Sequence, residues 1–136
     1  MDSRGSQLIR QNLENDFIQM KKIYYLGSCT TCQRILKELK PGKEFSMQDI
    51  KMEKITTSQI DEMKKLAGSY EALFSRVALK YRSMGLNTMK LDEKEYRKYI
   101  LEEYTFLKRP VIIIDKEIFI GNSPKTVTTA KAAMHP

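Results

Sequence analysis

Apolar residues recur along this chain with two different periods, and the period changes from segment to segment. Ile23-Tyr24-Tyr25-Leu26 is an unbroken, β-favouring run that ends at Gly27-Ser28, which predicts a first strand. Cys32, Ile35, Leu36 and Leu39 follow at i, i+3, i+4 and i+7, the spacing of one helix face. Lys40-Pro41-Gly42 stops that helix, and residues 44–50 alternate apolar and polar positions as a short second strand does. Thr56-Thr57-Ser58 then caps a helix carrying Ile60, Met63 and Leu66 or Ala67, which Gly68 ends. Ser69 predicts another helix start, with Tyr70, Leu73, Phe74, Val77 and Tyr81 as its apolar stripe. After a loop at residues 84–87, Asp92 caps a fourth helix with Tyr96, Ile100 and Tyr104 four apart. Core packing accounts for that aromatic spacing better than a ligand box does.

The last third returns to strands. Val111 to Ile114 is apolar at every position, so both of its faces should be covered, as in a central strand. Asp115-Lys116 is a two-residue hairpin link to Glu117 through Ile120, and Gly121 ends that strand. Ser123-Pro124 starts a final helix whose inner stripe is Val127, Ala130 and Met134. The expected fold is therefore α/β: a mixed sheet of about four strands, with a helical insert between the second and third. There is no internal repeat. Residues 1–19 differ from the rest: they open on a polar tract, and a second methionine, Met20, stands directly before Lys21-Lys22-Ile23. They are expected to be a leader ahead of a single domain at 20–136. An amphipathic extension through Leu8, Leu13 and Phe17 is the alternative.

The candidate chemistry lies where the first strand meets the first helix. Cys29 and Cys32 are the only cysteines. At a strand-to-helix junction, Cys29 would lie near unpaired backbone N–H groups and the positive end of the helix dipole, which favour thiolate over thiol. Cys32, one turn on and facing inward, could attack a mixed disulfide formed on Cys29. Two duller readings compete. A zinc site as a rule needs four ligands, and the single histidine, His135, stands next to the C-terminal residue, so no metal is expected. The other is a pair of cysteines serving only as small core residues.

Composition narrows the setting. At 136 residues with 41% apolar content, the chain can bury a core without disulfide staples. No stretch approaches the roughly 20 apolar residues of a membrane span. No charged-then-apolar signal peptide opens the sequence either, so a cytoplasmic location and no membrane partner are expected. Two closely spaced cysteines suit such a reducing compartment. The net charge of +7 is spread among acidic residues along helices. That distribution favours solvated surfaces over a nucleic-acid footprint, and no direct nucleic-acid partner is expected.

Strand, Cys-x-x-Cys, helix, insert, hairpin and helix is a thioredoxin-like order, and the likeness is closer than that superfamily. Ile23-Tyr24-Tyr25 through Cys32, Gly68 through Arg76, and Lys108-Arg109-Pro110-Val111-Ile112-Ile113 through Ile120-Gly121 resemble the family of glutaredoxin-dependent arsenate reductases and Spx-type bacterial regulators. The resemblance runs from Met20 to the end. It implies a thioredoxin-like fold with a helical insert, and a cis peptide before Pro110 facing the cysteine. It also implies Cys29 as the nucleophile, with Arg76 and Arg109 in two of the arginine positions that hold the reductases' oxyanion. Ordinary ion pairing is the alternative for both arginines. Gly68 matches a glycine through which Spx-type regulators contact RNA polymerase.

The departures from the reductase pattern count too. The third reductase arginine has no counterpart in Ile120-Gly121-Asn122, and Tyr25-Leu26 replaces the His-Asn pair before the cysteine. Cys32 matches a second cysteine of the Spx type. The leading expectation is a thiol–disulfide oxidoreductase, a poor arsenate reductase with Cys29 as nucleophile and Cys32 as resolving thiol. It would hold no bound cofactor, and its partner would be a small thiol or redox protein, with glutathione/glutaredoxin or thioredoxin as electron donor. The alternative is an Spx-type redox-sensing regulator that binds RNA polymerase, the same disulfide being its switch.

Overall fold

The computed structural model describes residues 20–136, so the leader expected at 1–19 lies outside the described residues. Strands β1 (Lys21–Tyr25), β2 (Ser46–Asp49), β3 (Val111–Ile114) and β4 (Glu117–Ile120) form one sheet in the order β2-β1-β3-β4. β1 and β2 are parallel, with Tyr24 opposite Gln48. β1–β3 and β3–β4 are antiparallel, with Ile112 between Ile23 and Phe119. This is the mixed four-stranded, thioredoxin-like sheet expected from the pattern. The helices are α1 (Thr30–Leu39), α2 (Thr57–Ala67), α3 (Leu79–Ser83), α4 (Glu93–Glu102) and α5 (Pro124–Met134). None among the described residues is long and apolar enough to cross a membrane.

The sheet separates two apolar cores, and the alternation of β3 explains why its sequence is apolar throughout. Ile112 and Ile114 pack with Ile35 and Leu39 of α1 and Val127 and Ala130 of α5. Val111 and Ile113 face the other way, toward Ile60 and Met63 of α2 and Tyr96 and Ile100 of α4. Successive strand residues point to opposite faces, so a strand covered on both sides needs apolar residues at every position. Reciprocal capping boxes start α2 (Thr56 with Gln59) and α4 (Asp92 with Glu95), satisfying N–H groups that the helix itself leaves unpaired.

The structure departs from the sequence pattern at three places. The helix expected from the Tyr70–Tyr81 stripe does not form. Ser69 does cap a turn, its Oγ accepting from the Ala72 N–H at 3.1 Å, but the turn is a single 3-10 segment, Glu71–Leu73. Phe74 then extends and bridges Leu107 in antiparallel fashion. The Ser75 N–H donates to the Phe106 carbonyl at 2.7 Å, and the Lys108 N–H donates to that of Leu73 at 2.8 Å. The aromatic packing of Phe74 explains the choice: its ring stacks on Phe106 at 5.0 Å and meets Tyr96 at 4.9 Å and Tyr81 at 5.9 Å. Val77, assigned to the buried stripe, is 92% exposed as a result. Tyr104 likewise lies beyond α4, in a 3-10 turn at Tyr104–Phe106. In β2 the inward residue is Gln48, not Met47. Its buried amide exchanges hydrogen bonds with Gln59 and donates to the Glu53 carbonyl, which removes the cost of burying it.

Candidate functional site

The site begins with the turn that joins β1 to α1. The Gly27 N–H donates to Asp49 Oδ2 at 3.2 Å, tying the end of β1 to the last residue of β2. A Cβ on Gly27 would stand 2.5 Å from that carboxylate oxygen, so glycine is what lets the two approach. The Cys29 N–H donates to the Leu26 carbonyl at 3.1 Å and the Gln33 side chain donates to that of Gly27 at 2.5 Å. This closed turn delivers Cys29 to the N-cap position of α1, half-buried, with extended backbone. Cys32 sits one turn on, wholly buried in the core on the insert's side of the sheet. Both are free thiols.

The two thiols are unequal. Burial pushes the Cys29 thiol up, but the backbone N–H groups of Cys32 and Thr31, the Cys32 thiol and the Arg109 charge together hold it below the ordinary thiol value. Burial raises the Cys32 thiol to about 11, with the Cys29 charge adding to the shift and the Leu26 backbone N–H opposing it. The Cys29 sulfur thus favours the thiolate more than an ordinary cysteine does, and the Cys32 sulfur favours the thiol.

Cys29 opens on a cavity of about 540 Å³ that Arg76, Lys108, Arg109 and Asn122 also line. Arg109 precedes Pro110 across a cis peptide bond. The Pro110 carbonyl accepts from the Gly121 N–H at 2.9 Å, which places Gly121 and Asn122 on the cavity wall. Arg109 Nη1 donates to the carbonyls of Thr105 and Leu107, each at 3.2 Å, while its Nε is buried without a partner. Its charge is therefore held near the cysteine by backbone oxygens, and it forms no ion pair with a carboxylate among the described residues. Arg76 differs. Its Nη2 donates to Glu71 Oε2 at 3.1 Å and to the Tyr96 hydroxyl at 2.9 Å, so much of its charge is already answered.

Gly68 stands apart from this cavity. It is the exposed C-cap of α2 with φ +96°, a left-handed conformation that favours glycine, and its N–H donates to the Lys64 carbonyl. Among the described residues, no group of three or more His, Cys, Asp or Glu side chains could hold a metal ion. The contact of Arg76 with Tyr96, twenty residues away on α4, was not legible in the sequence, whereas its pairing with a carboxylate was the alternative weighed there.

Arg109 supplies a direct test of the electrostatics. A cation beside a thiolate favours the charged form, so Arg109→Ala will move the alkylation midpoint of Cys29 to higher pH. A circular dichroism spectrum will confirm that the fold is kept. An unchanged midpoint would mean that the backbone N–H groups and the Cys32 thiol set the thiolate without Arg109.

The comparisons with known proteins agree with this architecture. The chain is 26% identical over 109 residues to the regulatory protein MgsR of Bacillus subtilis (strain 168), an alignment covering 78% of this chain and 86% of that protein. The arsenate reductase from Vibrio cholerae has a similar structure, with a TM-score of 0.64 at 16% identity, covering 82% of this chain and 97% of that one. An arsenate reductase (ArsC) related protein from Brucella melitensis gives 0.62 at 21% identity, covering 81% and 92%. At such identities these two likenesses speak for the fold. The family match itself spans residues 24–130, from the first strand into the last helix, and the chain belongs to the ArsC family.

Proposed function

We propose that the protein is a redox-sensing regulator of the Spx type, switched by a reversible Cys29–Cys32 disulfide. The observation that carries the reading is the inequality of the two thiols, one activated at a cavity mouth and one buried beneath it. With a low-molecular-weight disulfide as oxidant, the Cys29 thiolate attacks one of its sulfurs and expels the other half as a thiolate. The Cys32 sulfur, losing its proton, then attacks the Cys29 sulfur and expels the second half. Two electrons leave the protein and two protons end on the released thiols. Glutathione with glutaredoxin, or thioredoxin, would reverse the reaction in the cytoplasm.

Two features favour a switch over an arsenate reductase. Arg76 is engaged by Glu71 and Tyr96, and the third reductase arginine is replaced at Gly121-Asn122, which leaves an oxyanion short of preorganised donors. The likeness to a regulatory protein over most of its length supports a regulatory output. RNA polymerase is the proposed partner, with Gly68 on its contact surface.

The test runs the dithiol and disulfide forms side by side. Each is used to capture RNA polymerase, and the dithiol is separately given arsenate with glutaredoxin and glutathione. The regulator reading expects one redox form to retain polymerase much better than the other, with little arsenate turnover. Robust Cys29-dependent arsenate reduction without polymerase capture would overturn it in favour of the enzyme.

A further inference from the structure

Four of the six large apolar side chains exposed among the described residues, Val77, Leu79, Met84 and Met89, fall within thirteen consecutive positions. Val77 and Leu79 are 92% and 91% exposed. The same stretch is one-sided in charge. From Ser75 to Lys90 it carries Arg76, Lys80, Arg82 and Lys90 and no acidic residue. Arg76 and Lys80 are answered by Glu71 and Glu103, while Arg82 and Lys90 make no ion pair among the described residues.

The exposure is not that of an unanchored loop. The Ser75 N–H is bonded to the Phe106 carbonyl and the Lys80 ammonium meets the Glu103 carboxylate. The Tyr81 ring packs edge-on against Phe74, and Leu86 is buried. The backbone is thus fixed on both sides of two aliphatic side chains that are turned to water. Val77 also lines the cavity onto which Cys29 opens, so the apolar ledge continues into a concave, cationic site.

We infer that the segment from Val77 to Lys90 is a docking surface for an acidic protein segment that carries apolar side chains. Charge complementarity selects the acidic character, because an incoming carboxylate meets Arg82, Lys90 and Lys108, while the nearby Glu71 and Glu103 are already engaged by Arg76 and Lys80. The aliphatic pair selects a polypeptide over nucleic acid, since phosphate contacts would use the cations and leave Val77 and Leu79 in water. The cavity beside Val77 gives a partner side chain a place to enter, and a bound segment would cover the Cys29 mouth. The inference concerns the partner of the proposed switch, but it rests on this surface and not on disulfide formation.

The test uses the dithiol form and a synthetic fifteen-residue peptide of interspersed glutamate and leucine. Polyglutamate of equal charge, a DNA duplex and phosphatidylglycerol vesicles serve as comparators. The peptide should bind more tightly than any of the three, and at saturation it should slow alkylation of Cys29. The double variant Val77→Ser with Leu79→Ser alters only exposed side chains, and it should weaken the peptide about tenfold or more, as loss of anchor residues does. Arg82→Glu should weaken it as well. Failure of the peptide to bind, equal binding by polyglutamate, DNA or vesicles, or an unchanged affinity in the double variant would overturn the assignment. Because every measurement is made on reduced protein, a failure of the redox switch would appear separately.

Discussion

Iodoacetamide will modify Cys29 at least about a hundredfold faster than Cys32 at about pH 8. The thiolate is the reacting species, and each unit of pKa above the working pH removes about nine-tenths of it. Burial places Cys32 at about 11, two units above the ordinary value of 9.0, which alone accounts for the factor. Cys29 lies below that ordinary value and half-exposed, so access adds to the difference. The sign with pH is also fixed. Cys29 reactivity falls as pH drops through its lowered midpoint, while Cys32 gains thiolate only as pH rises toward 11. Mass spectrometry of tryptic peptides over a pH series will separate the two curves. Equal rates with a shared midpoint near that of a free thiol would mean that the pair is packing material. If the curves separate, treating Cys32→Ser protein with a low-molecular-weight disulfide in place of iodoacetamide will leave a stable mixed disulfide on Cys29, one half of the reagent departing as a thiol, because no second sulfur is present to displace the other half.

Phe74→Ala will destabilise the protein by about 3–5 kcal/mol, the range for removing a fully buried phenyl ring. Phe74 is wholly buried and touches three other aromatic rings, so its removal leaves a cavity lined by Phe106, Tyr96 and Tyr81. Urea titration measures the loss. The same variant will disturb the site, since the Phe74–Leu107 bridge holds Ser75, Arg76 and Val77 on the cavity wall. A cost below about 1 kcal/mol would show that the segment can collapse into the space.

The elements most legible in the sequence are those whose signal is local. The apolar run before Gly27, the helix face from Cys32 to Leu39, the capping residues Thr56, Asp92 and Ser123, and the Asp115-Lys116 link each carry their own chemistry. The cysteine pair was legible for the same reason: its position depends on one turn and one helix start. The stripe from Tyr70 to Tyr81 fails because its spacing fits a helix while Phe74 gains more from the rings of Tyr96 and Phe106, 22 and 32 residues downstream. Periodicity cannot weigh a distant partner. The same limit hid the Tyr96 contact of Arg76, and it hid the exposed ledge at Val77 behind a pattern that assigns it to the interior. The Gln48–Gln59 pair gives no pattern at all, because each amide becomes buriable only once the other is present.

The cavity wall also has a consequence for synthesis. Cys29 is made early, but Phe74, Arg109 and Asn122 follow it by roughly 45, 80 and 93 positions. Translation adds about 5–20 residues each second, so a nascent chain carries both cysteines for seconds before the C-terminal hairpin exists. During that time Arg109 cannot act on the thiolate and no core encloses Cys32, so neither thiol has its mature character. The difference between the two thiols is thereby acquired only with long-range closure of the chain. A ribosome-bound fragment ending before Lys108 will carry cysteines of near-equal, ordinary reactivity, and release of the full chain will set them apart.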